Sequence, residues 1–159
     1  MKSKAKRPTS PERARLRAIR AIDLDDARAA FDRIARTAQR LAKTRYAQVS
    51  IVGADQVFIV GGTGTPVRTA DRKGSITAQA IEQDAVLWVA DAKADPRFGG
   101  NRHMTQLDLR FYAGAPVILS NGSRIGALSI LDPKPRPHDA ELASALQDLA
   151  ALVAHEWDR

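Results

Sequence analysis

Residues 91–101 read DAKADPRFGGN, residues 110–117 read RFYAGAPV, and residues 122–133 read GSRIGALSILDP. The first stretch is turn-rich. The second and third are apolar runs joined by Ser120-Asn121-Gly122-Ser123. Asn-Gly between two apolar runs is a strong hairpin signal, because both residues accept positive φ. The expectation is a long loop over 91–109, with a helical turn near Asp95-Pro96, then a strand 110–119 and a returning strand 124–131. Strand alternation puts Phe111, Ala113, Ala115 and Val117 on one face, and Arg110, Tyr112, Gly114 and Pro116 on the other.

Working outward, Tyr46-Ala-Gln-Val-Ser-Ile-Val-Gly53 and Gln56-Val-Phe-Ile-Val-Gly61 form a second hairpin around the turn GADQ. Residues 61–74, rich in Gly, Thr, Pro and Asp, read as a loop. Ser75 caps a short helix through Gln83, and AVLWVAD, 85–91, reads as a strand. Upstream, Ser10 is the expected cap of a short helix with Pro11 at its first position. Asp25 or Asp26 is the expected cap of a longer one. Ala27, Ala30, Phe31, Ile34, Ala38 and Leu41 recur at helical spacing to about Lys43. His138 to Trp157 closes the chain as a helix with Leu142, Leu146, Leu149 and Val153 along one side, a short a/d seam. Antiparallel hairpins with helices at both ends give an α+β class.

Composition narrows the function. The 159 residues contain no cysteine, which excludes disulfides, thiolate metal sites, cysteine nucleophiles and thioether-linked cofactors. The net charge of +7 belongs to the first 20 residues, which hold eight basic and one acidic residue; the other 139 balance 17 against 17. Residues 1–11 are therefore read as a basic disordered tail. Such a tail either is merely solvated or attaches to an anionic partner. No aromatic residue precedes Phe31, so the base-stacking of single-strand binders is absent and nucleic acid is not an expected partner. GGTGT at 61–65 lacks the Lys-Ser/Thr of a phosphate loop. His103, His138 and His155 show no metal spacing. No apolar run reaches the length of a membrane helix, and a cytoplasmic location is expected.

With these segments in this order, the chain resembles the GAF family over residues 12–157. VADAKADPRFGGN, RFYAGAPV and RIGALSILDPKPR carry the resemblance, together with the lead-in ERARLRAIRAIDL, as in GAF domains of bacterial sensor histidine kinases and diguanylate cyclases. The resemblance implies a GAF domain over 12–159: an antiparallel sheet with the N- and C-terminal helices on one face and a small-molecule pocket on the other. It also implies that Thr77 and Gln79 stand where relatives carry a cysteine and often a histidine. A threonine hydroxyl is far less acidic than a thiol, so the family's photoreceptor and methionine-sulfoxide chemistries are not expected here.

The candidate ligand contacts are Phe58, Thr77, Gln79, Asp91, Phe98, Arg110, Phe111, Ala113 and Ser129. No catalytic or metal residue is assigned, and the ligand is unidentified. Several have a plainer reading. Thr77 and Gln79 fit ordinary helix positions. Asp91 and Asp95 fit loop-structuring carboxylates. Phe98 fits a residue packing the loop on the sheet, and Ala113 and Ala115 fit helix-on-sheet packing. Arg110 suits anion recognition. The expected function is a non-catalytic sensory module that binds a small molecule and relays its state through helices or a kinase or cyclase partner. A homodimer through the terminal helices is also expected. The alternative is a ligand-free dimerisation or interaction scaffold.

Overall fold

The two hairpins read from the sequence join edge to edge. β1 (Tyr46–Val52) pairs with β2 (Gln56–Gly62) on one side and with β6 (Arg124–Asp132) on the other. β5 (Phe111–Ile118) follows on β6. The computed structural model describes Arg7 and residues 9–159. Two three-residue edge strands, β3 (Thr69–Asp71) and β4 (Leu87–Val89), complete a six-stranded antiparallel sheet of order β3-β2-β1-β6-β5-β4. Gly122, at φ 84°, supplies the left-handed residue that the turn between β5 and β6 requires.

One face of this sheet carries α2 (Leu24–Ala42) and α5 (Ala140–Asp158). α2 buries a stripe of Ala27, Phe31, Ala35, Ala38 and Ala42, and α5 buries Leu146, Ala150, Val153, Ala154 and Trp157. Small residues let the backbones approach. A Cβ at Gly61 would fall 2.6 Å from the Phe31 Cβ, so β2 passes directly under α2. The Gly62 N–H donates to Asp32 Oδ1 at 2.8 Å. Phe31 stacks on Trp157 at 5.9 Å between centroids, and Trp157 Nε1 donates to Ala18 O at 3.0 Å. Phe111, Ala113, Ala115 and Val117 share this core.

α1 (Ser10–Arg20) docks differently. Its one fully buried residue is Arg15, 6% exposed, which donates to Val52 O and, at 2.8 Å each, to both carboxylate oxygens of Glu12. Arg72 Nη1 reaches the same Glu12 Oε1 at 2.5 Å. Arg15, and after it Arg72, holds the Glu12 carboxyl at about 2, against the opposing effect of burial.

Several boundaries differ from the sequence reading. Thr9, not Ser10, caps α1, accepting from the Glu12 N–H at 3.3 Å. That makes Thr9-Ser-Pro-Glu12 the capping frame and leaves Pro11 in the first turn, where no N–H is missed. Asp23, not Asp25 or Asp26, caps α2. It accepts from both of their N–H groups and leaves their carboxylates beside the positive helix end. α3 (Ile76–Ala80) keeps the expected Ser75 cap but stops short of Gln83. The loop 61–74 contains β3, and the final helix starts at Ala140, capped by Asp139. The expected turn at Asp95-Pro96 is present, with the Phe98 and Gly99 N–H groups both donating to Asp95 O at 3.0 Å, and the loop 91–109 also contains α4 (Arg102–Gln106), capped by Asn101. In the Asp95 turn, Asp95 Oδ1 also accepts the Arg97 N–H at 2.9 Å. Residues 1–6 and Pro8 of the expected basic tail lie outside the described residues.

The depressed Glu12 pKa ties its contribution to pH. A carboxyl lowered in the folded state stabilises fully above its unfolded value and loses that contribution as it is protonated. Glu12→Gln should lower stability at pH 7 by about 2 kcal/mol, the scale of charged hydrogen bonds. In urea melts the gap to the parent should close as pH falls from 4.5 to about 2.

Candidate functional site

The opposite face of the sheet is polar at its centre. Tyr46, Gln48 and Ser50 alternate along β1, and their register partners on β6 are Leu131, Ser129 and Ala127. Gly114 of β5 lies opposite Ser129. A side chain at 114 would collide with the Tyr112 phenol, so the glycine lets that ring lie across the sheet. Over this face α3, α4 and the β3–α3 segment enclose a cavity of about 430 Å³. Gln48, Val57, Ile59, Thr77, Tyr112 and Leu131 contribute to its walls. Lys73 and Arg102 are exposed on its lining, and neither makes a salt bridge among the described residues.

Asn101 ties the two lips of the cavity together. Its Oδ1 caps α4 by accepting from the Met104 N–H at 3.0 Å, and its Nδ2 donates to Gly74 O at 2.9 Å. Deeper in, the Thr77 hydroxyl and the Tyr112 phenol share a hydrogen bond at 3.0 Å. Burial pushes the Tyr112 pKa up, and the hydroxyls of Thr77 and Ser129 pull against it; the ring stays a neutral phenol. Ser129 Oγ stands outside hydrogen-bonding geometry. Burial lowers the His103 pKa, which favours its neutral imidazole on the wall.

Gln48 stands out. It is 3% exposed, it lines the cavity, and its Oε1 has no hydrogen-bond partner in the protein. Ser50 Oγ and Ser129 Oγ are likewise buried without one. Buried polar atoms normally pair, since each one stranded costs about 1–3 kcal/mol. Of the three, Gln48 is the one that lines the cavity, while Ser50 and Ser129 lie buried on the same sheet face.

The nine candidate residues scatter around this centre. Thr77 lies on the cavity wall, and Ser129 lies on the same sheet face, fully buried. Gln79 faces a separate, more open groove with Arg72, Lys73 and Glu82. Asp91 and Arg110 are a bidentate pair at 2.6 and 3.1 Å, and Asp91 Oδ1 also accepts the Lys93 N–H. The Arg110 guanidinium foremost holds the Asp91 carboxyl below its ordinary range. They fasten the loop and line no part of the cavity. Phe98 is buried with Met104, Leu109 and Tyr112, pinning that loop to the sheet.

Phe111 and Ala113 are on the helix-facing side, in the core beneath α5, and cannot reach the cavity. Phe58, 41% exposed, pairs with Ile51 of the helix-side core and also points away from it. The parity of the strand was legible, but which face the helices cover is a tertiary outcome. Gln48 and Tyr112 were missed as site residues. The signal for Gln48 was present in the polar alternation of Tyr46, Gln48 and Ser50.

Residues 26–157 match the GAF domain family, and the chain belongs to it. A cyclic di-GMP phosphodiesterase of Pseudomonas aeruginosa is 35% identical over 125 residues. That match takes in 77% of this chain but 21% of the phosphodiesterase, so the chain spans about a fifth of that relative's length. Among solved structures, the fold is similar to a free methionine-R-sulfoxide reductase from Thermoplasma acidophilum, with TM-score 0.70 and 16% identity. That match covers 85% of this chain and 95% of the reductase. It is also similar to the Thermosynechococcus elongatus PixJ GAF domain, with TM-score 0.66 and 14% identity over 97% of this chain and 90% of that one. At such identities the likeness is one of fold. GAF domains are typically sensory, ligand-binding units of signalling proteins. Among the described residues no helix is long and apolar enough to cross a membrane.

The Thr77–Tyr112 bond should behave as a buried pair. Thr77→Val or Tyr112→Phe alone should cost about 1–2 kcal/mol, since each strands a hydroxyl. The double variant should lose clearly less than the sum of the two in a double-mutant cycle of denaturant melts.

Proposed function

We propose that this chain is a non-catalytic sensory module whose cavity binds a small molecule and whose helices relay the occupied state. The sensory unit spans residues 12–159 and works in the cytoplasm. The observation that carries this reading is Gln48, a buried amide on the cavity wall with its oxygen unpaired. An acceptor in that position suits a ligand with an N–H or O–H donor. Thr77 and Tyr112 offer hydroxyls beside it, and Lys73 and Arg102 favour an anionic group at the entrance. The absence of cysteine supports binding over redox chemistry. The Pseudomonas relative carries a similar segment within a cyclic di-GMP phosphodiesterase. An output partner of kinase, cyclase or phosphodiesterase type is consistent with that.

The test is a thermal-shift panel of nucleotides, tetrapyrroles and amino acids, read against Gln48→Leu. A ligand at 100 times its Kd should stabilise the parent by about 2.7 kcal/mol. Gln48→Leu should melt higher than the parent without ligand, because it removes a stranded amide, yet lose most of the ligand shift. A panel without any shift, together with a destabilised Gln48→Leu, would favour the ligand-free scaffold.

We further read the relay as a homodimer through α2 and α5. Their solvent sides carry Leu41, 58% exposed, and Leu152, 52% exposed. Arginines 33, 36 and 40 are exposed on α2, while Glu141 and Asp148 are exposed on α5, an opposite balance suited to pairing between copies. Leu41→Glu with Leu152→Glu should weaken dimerisation at least about tenfold in analytical ultracentrifugation, with the fold retained.

A further inference from the structure

α1 is fastened to the domain by a charged cluster at its start and, near its end, by the Trp157 Nε1 bond to Ala18 O. Ala18 and Ile19 of α1 are only partly buried against the main core. The fully buried member is Arg15, whose guanidinium is shared between Val52 O and the Glu12 carboxylate. Glu12 is paired a second time by Arg72, sixty residues away in the chain. Arg72 Nη1 also reaches Gly53 O at 3.1 Å, so the cluster gathers α1, the end of β1 and the segment after β3 at one point.

Arg72 is also part of the cavity's frame. It follows β3 directly, its N–H donates to Asp55 O at 2.9 Å, and its carbonyl accepts the Ser75 N–H at 3.1 Å. Its neighbours Asp71, Lys73, Gly74 and Ser75 all line the cavity, and Thr77 follows within α3. Gly74 sits at φ 77°, where a Cβ would meet nothing within 4 Å. The Asn101 side chain holds the same lip through Gly74 O. Displacing the lip therefore displaces the backbone that carries the Arg72 guanidinium.

We propose that the Glu12–Arg15–Arg72 cluster is a latch through which the position of the cavity lip sets the docking of α1. When Arg72 withdraws, Glu12 is held only by Arg15 of its own helix, and of the charged ties from α1 to the rest of the domain the Arg15 contact with Val52 O remains. An element left with fewer ties to the domain opens locally at lower cost, so losing the Arg72 contact favours release of α1. The coupling is reciprocal: loosening α1 must loosen the lip by the same factor. The latch rests on the cavity reading only for what moves the lip; the coupling itself belongs to the chain without ligand.

Hydrogen exchange on the full chain, with no ligand added, tests it. Arg72→Met should speed exchange of the amides of residues 13–20 by about fivefold or more, and Glu12→Gln should do the same for residues 72–76. The double variant should exchange no faster than the faster single variant in each segment. Arg97→Met, which breaks the exposed Asp95 pair, should leave both segments unchanged. Amides of β5 and α5 report global stability. Should Arg72→Met raise exchange there too, Arg72→Lys replaces it, with an intermediate rate expected in residues 13–20 alone.

Exchange changes confined to the substituted segment, or summing in the double variant, would overturn the latch. Failure of the ligand reading shows separately: the thermal-shift panel would be silent while the exchange coupling persisted. Failure of the latch alone would leave ligand shifts intact and the two segments independent.

Discussion

The close approach of α2 to the β1–β2 hairpin is the contact on which the remaining arrangement depends. Gly61 gives up its side chain under Phe31, and the alanines of α2 give up bulk along the same line. Apolar burial of this kind is non-directional and scales with area, so the sheet turns its most apolar parity towards the helices. Phe111, Ala113, Ala115 and Val117 go with it. What the helices leave behind is the other parity of the same strands, where Gln48, Ser50, Tyr112, Gly114 and Ser129 collect. The cavity is thus a consequence of helix packing on the far side of one sheet.

The two faces are built on different physics. The helix face is closed by area and aromatic contacts, with Phe31 on Trp157 and Trp88 against Phe111. The cavity face is closed by short elements, a five-residue helix on each side, through a smaller apolar cluster of Ile76, Phe98, Met104 and Leu109 on Tyr112 and Leu131, and through polar ties, Asn101 bridging to Gly74 and the Asp91–Arg110 pair behind the loop. α1 lies between these regimes, touching the apolar core through Ile19 and Ala18 but held by the Glu12 cluster.

Legibility from sequence followed the length of each element. α2, α5 and the four long strands announced themselves by periodicity over seven or more residues. β3 did not: Thr69-Ala70-Asp71 is three residues at an edge, and its pairing with Gln56, Val57 and Phe58 is decided by β2. α4 did not either. Asn101-Arg102-His103-Met104 has no repeat to read, and its turn is set by a side chain that also holds Gly74. The caps at Thr9 and Asp23 were displaced by one to three residues because Thr-Ser and Asp-Leu-Asp-Asp each offer several adequate caps. The Asp95 turn was legible because its partners, the Arg97 side chain and N–H, are two residues away, whereas the pairing of Asp91 with Arg110 needed the fold.

The sequence by itself determined the strand and helix order, the hairpin at Asn121-Gly122, the two parities of β5 and the absence of thiol chemistry. These follow from local sterics, from periodicity and from residue types, none of which needs a partner distant in the chain. The tertiary structure alone decided which parity faces the helices, and so why Phe111 and Ala113 are core while Gln48 and Tyr112 line a cavity. It alone brought Glu12 to Arg72 and Thr77 to Tyr112. A side chain's partner across the fold depends on how whole faces pack, and that is a global balance of buried area against stranded polar atoms that no local pattern encodes.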